Sequence, residues 1–225
     1  MKRFILILFG VLIFSSSVFS QDFRSINDLI NETNIRSRGI NNNNDYTGSP
    51  YENDEFVKGK LITHSEFIYN DIPLRLNIYN NNIEYKDDKG ETFAIDNPDY
   101  FSLINIGDAK IRYITYELGK KINKAYFKVI EEGKATLLLK PKVNFQEATK
   151  PGAYQEAKSA SFKRLPDEIY IQVGEKKAQQ VTNKKSLLLI LSEKQGLINA
   201  FLKENKIKLN KSEDILKVVR YYNSI

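Results

Sequence analysis

The chain has 225 residues and a formal net charge of +6, with one histidine, no cysteine and no tryptophan. That composition excludes a clustered His/Cys zinc site, a thiol nucleophile and any disulfide, so stability has to come from a packed core. The charge is two-sided: residues 175–225 hold eleven Lys/Arg against five Asp/Glu, whereas residues 21–174 carry −2.

The opening MKRFILILFGVLIFSSSVFSQ sets Lys2 and Arg3 before an eleven-residue apolar run, 4–14, and small residues leading to Ser20. This is the pattern of a secretory signal peptide over residues 1–20, cleaved before Gln21. A membrane-spanning helix needs about 20 apolar residues, so the run is too short for an anchor. Without cysteine there is no lipid attachment at the cleavage site. The mature chain is therefore expected to be periplasmic or secreted, and not a lipoprotein. Residues 21–48 include the asparagine run 41–44 and few large apolar side chains, which predicts a flexible leader.

From about residue 56 the apolar period changes to two. In IPLRLNIYN, Ile72, Leu74, Leu76 and Ile78 fall on one face and Arg75, Asn77 and Tyr79 on the other, the pattern of a half-buried antiparallel strand. Asn70-Asp71, Asn80-Asn81-Asn82 and Asp88-Lys89-Gly90 read as hairpin turns, and Ile-Tyr-Asn recurs at 68–70 and 78–80 with meander spacing. Alternation continues through 100–106, 110–116, 126–132 and 134–143, where Pro141 predicts a strand end or an edge. Residues 144–160 read as a loop. SFKRL and EIYIQV read as one more hairpin about Pro166-Asp167, with Ile169, Ile171 and Val173 inward.

Beyond Gly174 the pattern is helical. Ser192 to Gln195 has capping-box spacing, with Ile198, Phe201 and Leu202 following it. A second start at Lys211-Ser212-Glu213-Asp214 leads into Ile215, Val218, Val219 and Tyr222, spaced i, i+3, i+4, i+7. The run 187–191 is ambiguous by period, and its place before two helices favours helix. The expected fold class is α+β: an antiparallel β-meander sheet over 49–174, either open or strongly curved and barrel-like, followed by two or three helices in a basic segment, 175–225, packed on the sheet.

Little in the sequence points to catalysis. His64 sits in LITHSEF with no G-x-S-x-G turn, so a serine triad has no local support. The stretch GSPYENDEFVKG, residues 48–59, gathers Glu52, Asp54 and Glu55, but it lacks the alternate oxygen donors and distal glutamate of a calcium loop. It reads as a strap: Ser49-Pro50 sets an extended entry, Tyr51 and Phe56 dock on the sheet, and the polar residues between them face water or tie down turn amides. No cofactor, metal ligand or catalytic residue is assigned. The feature left for binding is the basic tail, with Lys184, Lys185, Lys203, Lys206, Lys208 and Arg220 as candidate partner-binding residues. Lys194, Lys211 and Lys217 interleave with them.

The strings GSPYENDEF, IPLRLNIYNNNIEY and VVRYYNSI resemble a family of exported proteins of Bacteroidetes-type Gram-negative bacteria with no characterised activity, over residues 48–225. The resemblance implies an exported, mostly β protein with a basic helical end, and no site residues. The leading functional expectation is a non-catalytic envelope or secreted binding protein for a protein, lipid or polysaccharide partner, with no nucleic acid and no membrane span. Two alternatives stand beside it: a carboxylate-dependent hydrolase of envelope or extracellular polysaccharide, and a carrier holding a lipid-like ligand in a closed sheet.

Overall fold

The computed structural model describes residues 23–26, 28, 46–150 and 157–225. The expected signal peptide and most of the expected leader lie outside the described residues. Where the leader is described, β1 (Phe23–Arg24) pairs with the sheet and Ile26 is buried in its core. The remaining strands are β2 (Tyr46–Thr47), β3 (Val57–Thr63), β4 (Ile68–Asn77), β5 (Asn82–Lys86), β6 (Thr92–Ala94), β7 (Phe101–Ile106), β8 (Ala109–Leu118), β9 (Lys121–Glu131), β10 (Ala135–Gln146), β11 (Ala160–Val173) and β12 (Ala178–Gln180). Three helices close the chain: α1 (Lys184–Ile190), α2 (Gln195–Glu204) and α3 (Ser212–Ser224).

All twelve strands belong to one sheet, whose main path runs β12-β11-β10-β9-β8-β7-β3-β4-β5-β6 with antiparallel neighbours. Three parallel pairings make it mixed: β1 with β4, β2 with β11, and β12 with β8. The last of these closes β8, β9, β10, β11 and β12 into a ring. The fold is thus α+β, with a strongly curved sheet and helices on one face.

Curvature separates three cores. In the open half, Leu61, Tyr69, Ile72, Leu74, Ile83 and Tyr85 pack together. Inside the ring, Tyr116, Phe127, Tyr170, Leu138 and Ala178 fill the space between strands. Outside it, Leu137, Ile169 and Ile171 lie under the helices, so β10 and β11 are buried on both faces. The stripe Ile215, Val218, Val219 and Tyr222 of α3 is fully buried. At roughly 1.5–3 kcal/mol for each such side chain, packing rather than intrinsic propensity holds this helix. Asn223 adds a polar tie at its end: the amide nitrogen donates to Ala135 O (2.9 Å) and the amide oxygen accepts from Ala135 N (2.8 Å), extending the ladder at the start of β10.

Several expected turns are relocated. Asn70-Asp71 is not a hairpin joint but a bulge inside β4, where Gly59 opposes Ile72 and Leu61 opposes Tyr69, and Asp71 takes φ +56°. The hairpin closes instead at Thr63–Phe67, where Thr63 N donates to Phe67 O (3.0 Å) and Glu66 takes φ +65°. His64 is an exposed residue of that turn. Pro166-Asp167 is likewise no turn: β11 runs straight through it, and the slip from Lys140↔Glu168 to Lys142↔Leu165 makes it a bulge opposite Pro141. A register slip is where missing ladder donors are tolerated, and it re-aims side chains. So β10 continues past Pro141 to Gln146, and the expected loop shrinks to the tip of a long β10–β11 arm, of which 151–156 lie outside the described residues.

The expected capping box at Ser192 is absent. Ser192–Lys194 is a 3₁₀ turn, and α2 begins at Gln195 without a side-chain cap. The capping box belongs to α1, where Asn183 Oδ1 accepts from Ser186 N (2.9 Å) and Ser186 Oγ accepts from Asn183 N (3.1 Å). The run 187–191 supplies most of this helix, as expected.

Candidate functional site

A concavity arises where β9 and β10 part. β10 pairs with β9 only through Leu137–Leu139, then leaves with β11 as the arm. The β4–β5 turn fills the foot of this fork, and Asn81, held at φ +51°, accepts a hydrogen bond from Tyr126 N (3.1 Å) through its side-chain oxygen. One backbone amide on the open edge of β9 is thereby satisfied by a side chain instead of a strand.

Two hollows meet at Tyr79. The first, of about 240 Å³, is lined by Tyr79 and Asn81 from the turn, Tyr116, Lys124 and Tyr126 from β8 and β9, and Lys140 to Val143 from the arm. The second, of about 210 Å³, is lined by Tyr46, Asn80, Phe145, Phe162 and again Tyr79. Phe162 is the hub of its aromatic wall, with ring centroids 4.9 Å from Tyr46, 5.1 Å from Tyr79 and 4.8 Å from Phe145. Gly48 lets the strap pass beside this wall: it takes φ +75°, and a Cβ there would stand 2.1 Å from Phe162 O. Tyr79 keeps 51% of its surface exposed despite these contacts.

Lysines edge the first hollow, each with a carboxylate nearby. Lys140 Nζ lies 5.0 Å over the Tyr116 ring and 3.7 Å from Glu168, which also holds Lys142 at 2.7 Å. Lys124 Nζ is 2.7 Å from Asp99. Three lysines against two carboxylates leave a mildly positive rim. Tyr126 is 2% exposed and lines the hollow, and its hydroxyl has no hydrogen-bond partner among the described residues. Burial, with Tyr113 and Asp99 adding to it, pushes that hydroxyl far above its ordinary pKa, so it remains a neutral donor.

The strap behaves as a strap, with one addition. Tyr51 is buried, Glu52 N donates to Leu76 O (2.9 Å), and Pro50 O accepts from Ile78 N (2.8 Å). Arg75 lies 3.7 Å over the Tyr51 ring and 4.3 Å over Phe56, and Ser49 Oγ donates to Asp54. Glu52 does not simply face water: it is 2.6 Å from Lys128 and 2.9 Å from Arg164, and both cations also pair with Asp167, at 2.8 and 2.5 Å. This four-charge clamp joins the strap to β9 and to the β11 bulge. Burial alone would raise the Asp167 pKa, but hydrogen bonds from Lys128 and Arg164 outweigh it and hold the carboxyl below its ordinary 3.8. For Lys128, burial lowers the pKa, and the bonds to Asp167 and Glu52 outweigh it and raise the ammonium above 10.5.

A pH dependence follows from these two shifts. The Asp167 contribution is complete above pH 3.8 and is lost as pH falls through its depressed folded value; that of Lys128 is complete below 10.5 and is lost as pH rises through its elevated folded value. Urea midpoints measured across the acid range are expected to fall less steeply in Asp167→Asn than in the wild type. An unchanged slope would remove Asp167 from the account.

The tail residues named from sequence are dispersed. Lys184 and Lys185 open α1, Lys203 lies in α2, and Lys206 and Lys208 follow it, all exposed. Arg220, on α3, pairs with Glu131 at 3.0 Å. None of the six lines the Tyr79 cleft. The cleft-lining residues escaped sequence reading because Tyr46, Tyr79, Phe145 and Phe162 share no periodicity; the only local sign was Tyr79, on the polar face of its strand beside an asparagine turn. Among the described residues, no three His, Asp or Glu side chains cluster as a metal site, and no helix is long and apolar enough to cross a membrane. Comparison of the chain with known protein families, with curated proteins and with solved structures finds no match to any of them.

Proposed function

We propose that this chain is an exported, non-catalytic binding protein, and that its ligand is a neutral to mildly acidic polysaccharide segment held in the Tyr79 cleft. The observation that carries the reading is the exposed aromatic wall at Tyr79, continuous with a lysine-edged hollow. Aromatic faces take sugar C–H surfaces, the Asn80 amide suits sugar hydroxyls, and Lys124, Lys140 and Lys142 tolerate carboxylates.

The hydrolase alternative has weaker support. Glu52 and Asp167, which share the same two cations, are both ion-paired, and Asp167 is held below its ordinary pKa, the reverse of what a general acid needs. The carrier alternative needs a chamber, and the ring interior is filled by Tyr116, Phe127 and Tyr170.

Calorimetric titration with a neutral glucan hexasaccharide and an alginate hexasaccharide tests the proposal. Tyr79→Ala is expected to weaken binding by about 30-fold, as for a central aromatic anchor. Absence of binding to either sugar, or binding indifferent to Tyr79, defeats the assignment; release of new reducing ends from the polymer supports the hydrolase instead. Export is tested by mass measurement of the mature chain, which should begin at Gln21.

A further inference from the structure

The second surface with unexplained chemistry lies at the tip of the β8–β9 hairpin. The tip reads Leu118-Gly119-Lys120-Lys121-Ile122, with Gly119 at φ +62° turning the chain and Leu118 opposite Lys121 as the last pair. Leu118 is 50% exposed and Ile122 59%. Glu117 opposes Ile122 in register, so Leu118 and Ile122 project from opposite faces of the hairpin and neither can shelter the other.

Helix α1 extends this surface. β12 runs parallel to the end of β8, with Gln179 opposite Glu117 and its side chain donating to that carboxylate at 2.8 Å. The chain then passes directly into α1, which brings Leu189 to the same shallow depression as Leu118 and Gly119. Leu189 is 70% exposed, the highest value among the exposed large apolar side chains of the described residues. Thus Leu118, Ile122 and Leu189 share one end of the molecule. Lys120 and Lys121 stand on the tip between Leu118 and Ile122, and Lys184 and Lys185 open the helix that carries Leu189, all exposed and without an ion pair among the described residues. The acid nearest in sequence to the tip, Glu117, is engaged by Gln179.

We propose that this end of the molecule docks on the surface of an anionic lipid bilayer, with Leu118, Ile122 and Leu189 entering the interfacial layer and the four lysines meeting phosphate headgroups. The shape favours a bilayer over a protein partner. The apolar side chains sit on a projecting hairpin and on the outer face of a short helix, and they are aliphatic, whereas protein interfaces centre on aromatic or arginine anchors seated in pockets. Lysine charge attracts such a surface without fixed geometry, and a few aliphatic side chains add shallow insertion. The inference does not depend on what fills the Tyr79 cleft, since no tip residue lines it.

Co-sedimentation of the mature chain with vesicles of phosphatidylcholine alone, and of phosphatidylcholine mixed with phosphatidylglycerol, tests it. Binding is expected only to the mixed vesicles, declining as salt rises. Replacing both Lys120 and Lys121 by alanine should weaken it by about 30-fold, since each lysine near such a surface contributes about fivefold. Leu118→Ser combined with Leu189→Ser should weaken it by at least tenfold. These positions are exposed, so the urea midpoint should be unchanged in every variant, and Lys203→Ala with Lys206→Ala serves as a control expected to lose little. No sedimentation with the mixed vesicles overturns the proposal, as does an equal loss in the control pair or binding that survives the tip variants. Tip-dependent capture of an acidic protein without vesicle binding overturns the lipid assignment.

Discussion

Arg75→Met is expected to destabilise the chain by about 3–5 kcal/mol, the cost of leaving a buried charge without its partner. Glu84 is fully buried, and Arg75 meets its Oε2 twice, through Nε at 2.9 Å and NH2 at 2.7 Å. The other oxygen has Asn77 Nδ2 at 3.1 Å and the Tyr51 hydroxyl at a distant 3.5 Å. Methionine keeps the aliphatic stem but leaves that carboxylate to an amide and a weak contact. It also removes the donor to Asp54 O (3.1 Å) and the cation stacked on Tyr51 and Phe56. The strap should therefore loosen with the pair, seen as faster exchange at Glu52 N and Ile78 N, whose acceptors lie on the other side of that contact. Arg75→Lys keeps charge but not the planar fork, and an intermediate loss of about 1–3 kcal/mol is expected. The double variant Arg75→Met/Glu84→Leu should recover most of the stability, because the penalty belongs to the orphaned charge. Urea unfolding of the four proteins checks this, and a single-variant loss below about 1 kcal/mol contradicts the account.

Phe127→Ala is the second large effect, at about 3–5 kcal/mol. Phe127, Tyr116 and Tyr170 form a triangle inside the ring, with centroids 5.5, 5.1 and 5.4 Å apart and every pair edge-on. Each such pair contributes about 0.5–1.5 kcal/mol beyond buried area, so removing the phenyl ring forfeits two pair contacts and opens a void that ring closure prevents from collapsing. That void would be lined by Leu138, Ala125 and the faces of two tyrosines. The variant should consequently regain stability with benzene, as dry apolar cavities do, whereas the wild type should not respond. Thermal unfolding with and without benzene measures both effects. A wild-type response would mean that the ring already holds space, and would revive the carrier reading.

Alternation about Leu74, the asparagine turn at 80–82 and the α3 stripe were legible in the sequence because each depends on neighbours within one turn or one strand. Bulges were not. A pair such as Asn70-Asp71 or Pro166-Asp167 carries the same local signal whether the chain reverses there or merely slips, and the partner strand makes the choice. β3 opposes the first pair and β10 the second. The face of β4 carrying Arg75 also reads as solvated, and becomes buried only because the strap, with Tyr51 24 residues earlier, folds over it.

By itself the sequence determined the alternation of strands, the order of sheet before helices, the burial of the last helix's stripe and the chemistries that are missing. Closure of the ring was decided only in three dimensions, since it hangs on three residues, Ala178–Gln180, with no pattern of their own. The same holds for the Tyr79 cleft, built from Tyr46, Tyr79, Tyr126, Phe145 and Phe162. Local periodicity records which face of an element is apolar, but which distant face meets it is set by register, bulge and curvature, and those arise from pairing between segments far apart in the chain.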